Sequence, residues 1–222
     1  MKTSKSIYEW LVLGCLTAIG LLFIMYRIIQ TGQLRFVFLS WNLVLAFIPL
    51  IFVQFLKPGG SKWIHGALIT SWLLMFPNAP YIVTDLIHIR KSAPVTFWFD
   101  FLLVCYFSVL GLLAGYYSFR KLSNFLKQEY QLELLNKRWM QAALFLLTGF
   151  GLYLGRILRW NSWDIIHQPY HLMDDIMKIC VNPLENLYAW KFTFFFAFFI
   201  GLGYYVFNKL FNQINSRWTF IN

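Results

Sequence analysis

Charged residues are scarce in this 222-residue chain, where they make up only 13% of the sequence. A soluble domain usually carries about 25% charged residues. Hydrophobic residues reach 59%, and the mean hydropathy is +0.57. These values exclude a disordered chain, a collagen, a coiled coil and almost any soluble enzyme. We therefore expect an all-α, polytopic membrane protein.

Cysteine is also sparse, with three residues and no CxxC pair. An odd number of cysteines cannot form a complete disulfide framework. Cys15 and Cys105 lie inside apolar runs, where a thiol behaves as a small apolar group. The cysteines therefore indicate no zinc ribbon, haem attachment or redox pair, and the sequence implies no particular cofactor.

Apolar segments recur along the chain at the length that a spanning helix needs, about 20 residues. Each is apolar on nearly every face, which favours helices over the alternating strands of a barrel. We predict one integral membrane domain over residues 1–222. Its six transmembrane helices should cover residues 8–29, 35–56, 63–82, 97–119, 139–158 and 190–211.

Lysine and arginine predict the orientation, because positively charged loops tend to stay in the cytoplasm. With six spans, 11 of these residues fall on the side of the termini and 8 on the other side. The segment 120–138 alone holds five, and it is predicted to be an amphipathic helix on the cytoplasmic surface. Both termini should therefore be cytoplasmic, and the positive charge requires no nucleic-acid partner.

Polar residues collect on the opposite, outer side, together with the loop 159–189. Two prolines in FPNAPYIVTDLIHIR should end or kink the third span there, and GRILRWNSWD ends the fifth span at the same level. Because polar groups are costly inside a bilayer, this convergence indicates a site. The residues brought together are Asn42, Asn78, Asp85, His88, Arg90, Asp100, Arg156, Arg159, Asn161 and Asp164.

Acidic residues and histidine in this group are the types that act as general acids and bases. Asp100 could form an acid–base pair with Asp85 or with Asp164. The candidate catalytic residues are therefore Asp85, His88, Asp100 and Asp164.

Arginine and asparagine are the candidate binding residues. Arg156 and Arg159 are three apart and should share a helical face, which suits a phosphate or carboxylate of an anionic lipid or lipid-linked substrate. Ion pairing with the nearby carboxylates is the alternative. Asn42, Asn78 and Asn161 complete the predicted binding set.

Metal-ligand residue types occur in Asp85-x-x-His88 and in His167-x-x-x-His171-x-x-Asp174. Pro169 interrupts a continuous helix in the second motif, so we interpret both as local hydrogen bonding and predict no metal site. Two GxxxG motifs, at 111–115 and 151–155, predict close helix packing, within one chain rather than in a dimer.

The segments PNAPYIVTDLIH, RILRWNSWD and WNLVLAFIPL together resemble the domain of unknown function 1361 family of uncharacterised bacterial integral membrane proteins. The resemblance covers residues 35–210. It implies a multi-span protein of the bacterial cell membrane and implies no activity.

Two functions are therefore open. The first is an embedded enzyme acting on a lipid or lipid-linked substrate at the outer leaflet. The second is a non-enzymatic subunit of an envelope complex, or a transporter. The absence of a clear internal repeat weighs against transport.

Overall fold

The computed structural model describes residues 2–91 and 94–221, with side chains over residues 10–89 and 94–213. All regular structure in these ranges is helical. The side chain of Arg90 lies outside the described residues. The helices are α1 (Lys2–Thr31), α2 (Phe38–Gln54), α3 (Lys62–Met75), α4 (Asn78–Tyr81), α5 (Phe97–Tyr130), α6 (Arg138–Arg156), α7 (Asp164–His167), α8 (Pro169–Val181) and α9 (Leu187–Ile221), with 3₁₀ segments at Ile82–Lys91 and Leu134–Asn136.

Four helical stretches are long and apolar enough to cross a membrane, namely Trp10–Thr31, Lys62–Ile89, Phe97–Tyr130 and Leu187–Gln213. The chain is therefore an all-helical polytopic membrane protein, as its composition predicted. The other two expected spans are also helical. α2 is a shorter apolar helix of 17 residues, and α6, with 19 residues, carries Arg138, Gln141 and Arg156 near its ends.

The third helical stretch is broken where its two prolines lie. α3 ends at Met75, and Pro77 precedes the single turn of α4, which contains Pro80. The backbone then tightens into the 3₁₀ segment Ile82–Lys91, which carries Asp85 and His88. Because the break occurs within the stretch, it directs polar side chains inward at one end of the helix bundle.

The segment 120–138 is not the separate amphipathic helix that its charges predicted. α5 continues without interruption to Tyr130 and ends at Gln131, which has a left-handed φ of 55°. A helix of 34 residues is about 50 Å long. A bilayer core is about 30 Å thick, so α5 extends well past it. The basic residues 120–127 therefore continue a spanning helix instead of forming a new one.

α5 is the central helix, because it contributes to both large buried clusters. Phe107 packs with Leu43 of α2 and Ile24 of α1 in one cluster. Phe119 packs with Trp72 of α3 and Tyr204 of α9 in the other. α6 packs along α9. These contacts fix α2, α5 and α6 around the short segment at residues 77–91.

The two GxxxG motifs both pack against the segment 77–81. A Cβ on Gly111 of α5 would lie 2.6 Å from the carbonyl oxygen of Ala79, and one on Gly151 of α6 would lie 2.9 Å from Pro77 Cγ. Only a residue without a side chain permits such close approach. The motifs therefore serve packing within the chain and hold the proline turn between two helices.

Candidate functional site

A buried ion pair joins the 3₁₀ segment to α6. Asp85 is only 1% exposed, and its Oδ1 accepts a hydrogen bond from Arg156 Nη2. Its Oδ2 accepts a second bond, of 2.7 Å, from Asn42 Nδ2 of α2. Both carboxylate oxygens thus have donors, as a buried charge requires. Three separate parts of the chain meet at this carboxylate.

The guanidinium of Arg156 is also held by neutral groups. Its Nε donates a 2.6 Å hydrogen bond to Thr84 Oγ1, and its Cζ lies 4.2 Å from the centroid of the Tyr81 ring. This combination of an ion pair, a hydroxyl acceptor and a cation–π contact occupies most of the guanidinium. Arg156 is therefore committed to holding α6 against the segment 81–85.

His88 lies at the edge of this cluster and is half-exposed. Its Nε2 is 3.8 Å from Asp85 Oδ1 and 3.5 Å from Arg156 Nη1. The ring packs edge-on against Phe38 of α2, with centroids 5.0 Å apart. A histidine beside a carboxylate is an arrangement that can transfer protons when a substrate reaches it.

Asp100 lies in a different cluster. It is fully buried and accepts hydrogen bonds from Arg27 Nε at 2.8 Å and Arg27 Nη2 at 3.2 Å. Thr96 Oγ1 adds a 3.3 Å bond to Asp100 Oδ2. The predicted acid–base pair of Asp100 with Asp85 is therefore not assembled, because each carboxylate is bound to its own arginine.

Asp164 and Asn161 form a local turn. Asp164 Oδ2 accepts the backbone N–H of Asn161 at 2.6 Å and the Asn161 side-chain amide at 3.2 Å. Asp164 is the first residue of α7, where a carboxylate favours the positive end of the helix. The structure gives Asp164 these local bonds to Asn161 and not a pairing with Asp85 or Asp100.

Arg159 does not share a helical face with Arg156. α6 ends at Arg156, and Arg159 follows in an exposed turn with a left-handed φ of 65°. The two arginines are therefore not presented together on one helical face, as the spacing predicted. The prediction from helical spacing was wrong because Arg156 is the last residue of α6 and Arg159 lies beyond the helix.

A cavity of about 230 Å³ lies beside the ion pair. Asn42 contributes to its wall from α2, and Tyr81 contributes from α4, so the two partners of the buried cluster also face this space. Asn78 donates 3.0 and 3.3 Å hydrogen bonds to Met75 O and to Ser162 Oγ, which ties the proline turn to the loop after α6. The full lining is Trp41, Asn42, Leu45, Pro77, Asn78, Tyr81, Gly151, Gly155, Trp160, Asn161, Ser162 and Trp163.

The predicted binding asparagines therefore meet at this cavity, since Asn42, Asn78 and Asn161 all line it. The predicted catalytic residues do not. Asp85, His88, Asp100 and Asp164 are absent from its lining, as are Arg156 and Arg159. The ionic side chains hold the helices together, and neutral polar groups form the accessible surface.

Several residues of the site had no clear signal in the sequence. Tryptophans are expected in the aromatic belt of a membrane protein, so the sequence contained no separate sign that Trp41, Trp160 and Trp163 line a cavity. Arg27 counted only as one loop charge among several. Its position within an otherwise apolar helix was the available signal for a buried partner.

The described residues contain no group of three or more metal-ligating side chains. His167 and His171 belong to different helices, because Pro169 begins α8. The Nδ1 of His167 lies 3.1 Å from Trp163 O, a local contact within one turn.

The comparisons with known proteins concern the same part of the chain. No curated protein and no solved structure matches it. A family described as "Protein of unknown function (DUF1361)" matches residues 41–202, which include the proline turn, the buried ion pair and the entire cavity lining. The resemblance seen in the sequence is thereby confirmed, and the chain belongs to the DUF1361 family.

Proposed function

We propose that this protein binds the polar head group of a lipid or lipid-linked molecule in the cavity beside Asp85 and Arg156. The cavity would open at the outer face of a bacterial plasma membrane, with both termini in the cytoplasm. The observation that carries the proposal is the lining itself, in which three side-chain amides and two hydroxyl-bearing side chains converge among three tryptophans. Such a mixture of aromatic surface and a few fixed polar groups is typical of ligand sites.

The walls of the cavity are held rigidly, which favours binding. Gly111 and Gly151 clamp the turn that carries Asn78, and the Asp85 carboxylate fixes the amide of Asn42. A site whose polar groups are already oriented loses less entropy when a ligand enters. The buried ions therefore support the cavity without entering it.

Tryptophan favours the membrane boundary as the level of this site. Trp41 and Trp163 are exposed at the cavity rim, and tryptophan concentrates where head groups meet hydrocarbon. A ligand drawn from the bilayer would present its head group at this level.

The test uses the protein in nanodiscs made from a total lipid extract of a bacterial inner membrane. Native mass spectrometry after detergent release reports which lipids stay bound. Ser162→Trp places a large ring in the cavity, and Ile166→Trp adds the same ring at an exposed position that does not line it. We expect retained lipid in the unmodified protein and in Ile166→Trp but not in Ser162→Trp. Equal retention in both variants would contradict the proposal.

A second candidate function, an embedded enzyme, is favoured by one observation. His88 is half-exposed and lies 3.8 Å from the Asp85 carboxylate, so a substrate beside it would meet an acid–base group. Under this function, His88→Gln should abolish turnover of a bound lipid and leave its retention unchanged. Unchanged turnover in that variant would contradict the enzymatic function. Lipid binding would then be the remaining function, as expected of a non-enzymatic subunit or a transporter.

A further inference from the structure

A second cavity of about 330 Å³ lies between α3, α6 and the helices after the 160–163 loop. Its wall is almost wholly hydrocarbon. Leu74 comes from α3, Leu147 and Leu154 come from α6, and Ile165 and Ile176 come from α7 and α8. Hydrogen-bonding groups reach it only near the loop, so this space suits a hydrocarbon chain.

The two cavities share part of their wall. Pro77, Gly151, Trp160, Asn161 and Ser162 line both of them. The loop that carries the polar groups of the first cavity therefore forms one end of the apolar cavity. The two spaces are therefore adjacent, and their linings match the polar end and the apolar end of one amphiphilic molecule.

Charge distinguishes the type of head group. Among the residues whose side chains the structure describes, no aspartate, glutamate, lysine, arginine or histidine lines the polar cavity. Arg156 lies over the lining residue Tyr81, but its charge is already paired with Asp85, so it offers an anion in the cavity no unpaired cation. Amide and hydroxyl side chains instead offer both donors and acceptors, as a polyhydroxylated group requires. Exposed indole rings add flat apolar surface that a sugar ring can stack on.

We propose that the ligand is a neutral glycolipid-like amphiphile, with an uncharged, hydroxyl-rich head in the polar cavity and a hydrocarbon chain in the apolar one. This inference rests on the proposed head-group binding and adds the chemical class of the ligand and the position of its chain. It replaces the anionic ligand that the arginine spacing predicted, because Arg156 is bound to Asp85 and neither Arg156 nor Arg159 lines the cavity.

The experiment uses nanodiscs that contain monoglucosyl diacylglycerol with a diazirine in the middle of one acyl chain. Phosphatidylglycerol and diacylglycerol carrying the same diazirine chain are the anionic and headless comparisons. After illumination, peptide mass spectrometry locates the labelled residues. We expect saturable labelling of 147–154 and 165–176 by the glycolipid, about tenfold above either comparison lipid.

Two substitutions test the position of the chain. Leu147→Trp and Leu74→Trp each fill the apolar cavity from a different helix, and Leu202→Trp adds the same ring to a lipid-exposed site on α9. We expect Leu147→Trp and Leu74→Trp to lower the labelling of the apolar cavity and Leu202→Trp to leave it unchanged. Because two helices are altered independently, misfolding of one variant does not remove the test.

The outcomes separate the two proposals. If the glycolipid is retained saturably but labels residues spread over α1 and α9, the proposed position of the hydrocarbon chain is wrong. The proposal of head-group binding is unaffected by that result. Stronger labelling of the apolar cavity by phosphatidylglycerol than by the glycolipid would contradict the proposal of an uncharged head group. Absence of saturable retention for every probe, with Ser162→Trp indistinguishable from the unmodified protein, would overturn head-group binding itself.

Discussion

Arg27 and Asp100 face each other between α1 and α5 and are joined by two parallel hydrogen bonds, from Nε to Oδ1 at 2.8 Å and from Nη2 to Oδ2 at 3.2 Å. Their side chains are 3% and 0% exposed. Arg27 Nη1 also donates to Thr31 Oγ1 at 2.8 Å, and its Cζ lies 5.0 Å from the Phe36 ring centroid. The described part of this helix, Trp10–Thr31, is otherwise largely exposed, so this pair is a principal attachment of α1.

Removal of one member of this pair should destabilise the fold strongly. Arg27→Met leaves the Asp100 carboxylate buried without its cation, and such a change costs about 3–5 kcal/mol. We expect a large drop in the thermal unfolding midpoint of the protein in detergent. The double variant Arg27→Met with Asp100→Leu should recover much of the loss, because no charge remains buried.

The exposed pair Lys178–Asp174 provides the control. It has a short N–O distance of 2.5 Å, but its side chains are 65% and 60% exposed. Water screens such a pair, so Lys178→Met should leave the unfolding midpoint unchanged. An equal drop for Lys178→Met and Arg27→Met would contradict the role of burial.

Arg156→Lys should separate the shape of the guanidinium from its charge. Lysine keeps the attraction to Asp85 but cannot also donate to Thr84 and lie over Tyr81 in the same way. We expect a loss of about 1–3 kcal/mol, the usual result when a buried polar group loses its partner. Arg159→Lys, at an exposed position three residues later, should have no effect on the unfolding midpoint. Tolerance of lysine at 156 would mean that charge alone holds this junction.

The fold class was predictable from the sequence because it depends on local properties. Each of the six apolar segments is long enough to form a helix, and a helix is the simplest way to pair backbone groups in hydrocarbon. Pro77 and Pro80 likewise interrupt the third helical stretch because proline has no backbone N–H to donate and its ring clashes with the preceding helical turn.

Ion pairing of the arginines with carboxylates was an alternative that the sequence offered, but the partner of each charge was not predictable, because it depends on contacts between distant residues. Arg27 and Asp100 are 73 positions apart, and nothing in either segment specifies the other. Arg156 and Arg159 show the opposite error, since a local helical spacing was extended past the end of α6. The cavity was hidden for the same reason as the ion pairs: it exists only where α2, the proline turn and the 160–163 loop meet.

Alanine at two glycines should have opposite effects on stability. A Cβ on Gly111 would lie 2.6 Å from the Ala79 carbonyl oxygen and 2.9 Å from Ile82 Cδ1, so Gly111→Ala must push the proline turn away from α5. We expect a loss of about 1–3 kcal/mol from overpacking. Gly66, within α3, has nothing within 4 Å of its Cβ position, so Gly66→Ala should gain up to about 1 kcal/mol of helix stability.

Thermal unfolding of the two alanine variants in the same detergent measures the difference. Lipid retention adds a second readout, because Gly111 holds the turn that carries Asn78 at the cavity. Gly111→Ala should retain less lipid and Gly66→Ala should retain as much as the unmodified protein. A midpoint for Gly111→Ala at or above that of Gly66→Ala would show that the turn is not clamped.

The proposed orientation predicts which thiols react from outside an intact cell. Cys180 is exposed on α8, on the same side of the bundle as the 160–163 loop, and it remains the only thiol after Cys15→Ser and Cys105→Ser. A membrane-impermeant maleimide should label this variant in intact cells.

In the proposed orientation, the matched control carries its single thiol on the opposite side of the membrane. Cys180→Ser combined with Leu132→Cys moves the thiol to the exposed loop that follows the C-terminal end of α5. This thiol should react only after the cells are permeabilised, because the excess of positive charge predicts a cytoplasmic loop. Labelling of Leu132→Cys but not of Cys180 in intact cells would reverse the orientation and move the cavity to the cytoplasmic leaflet.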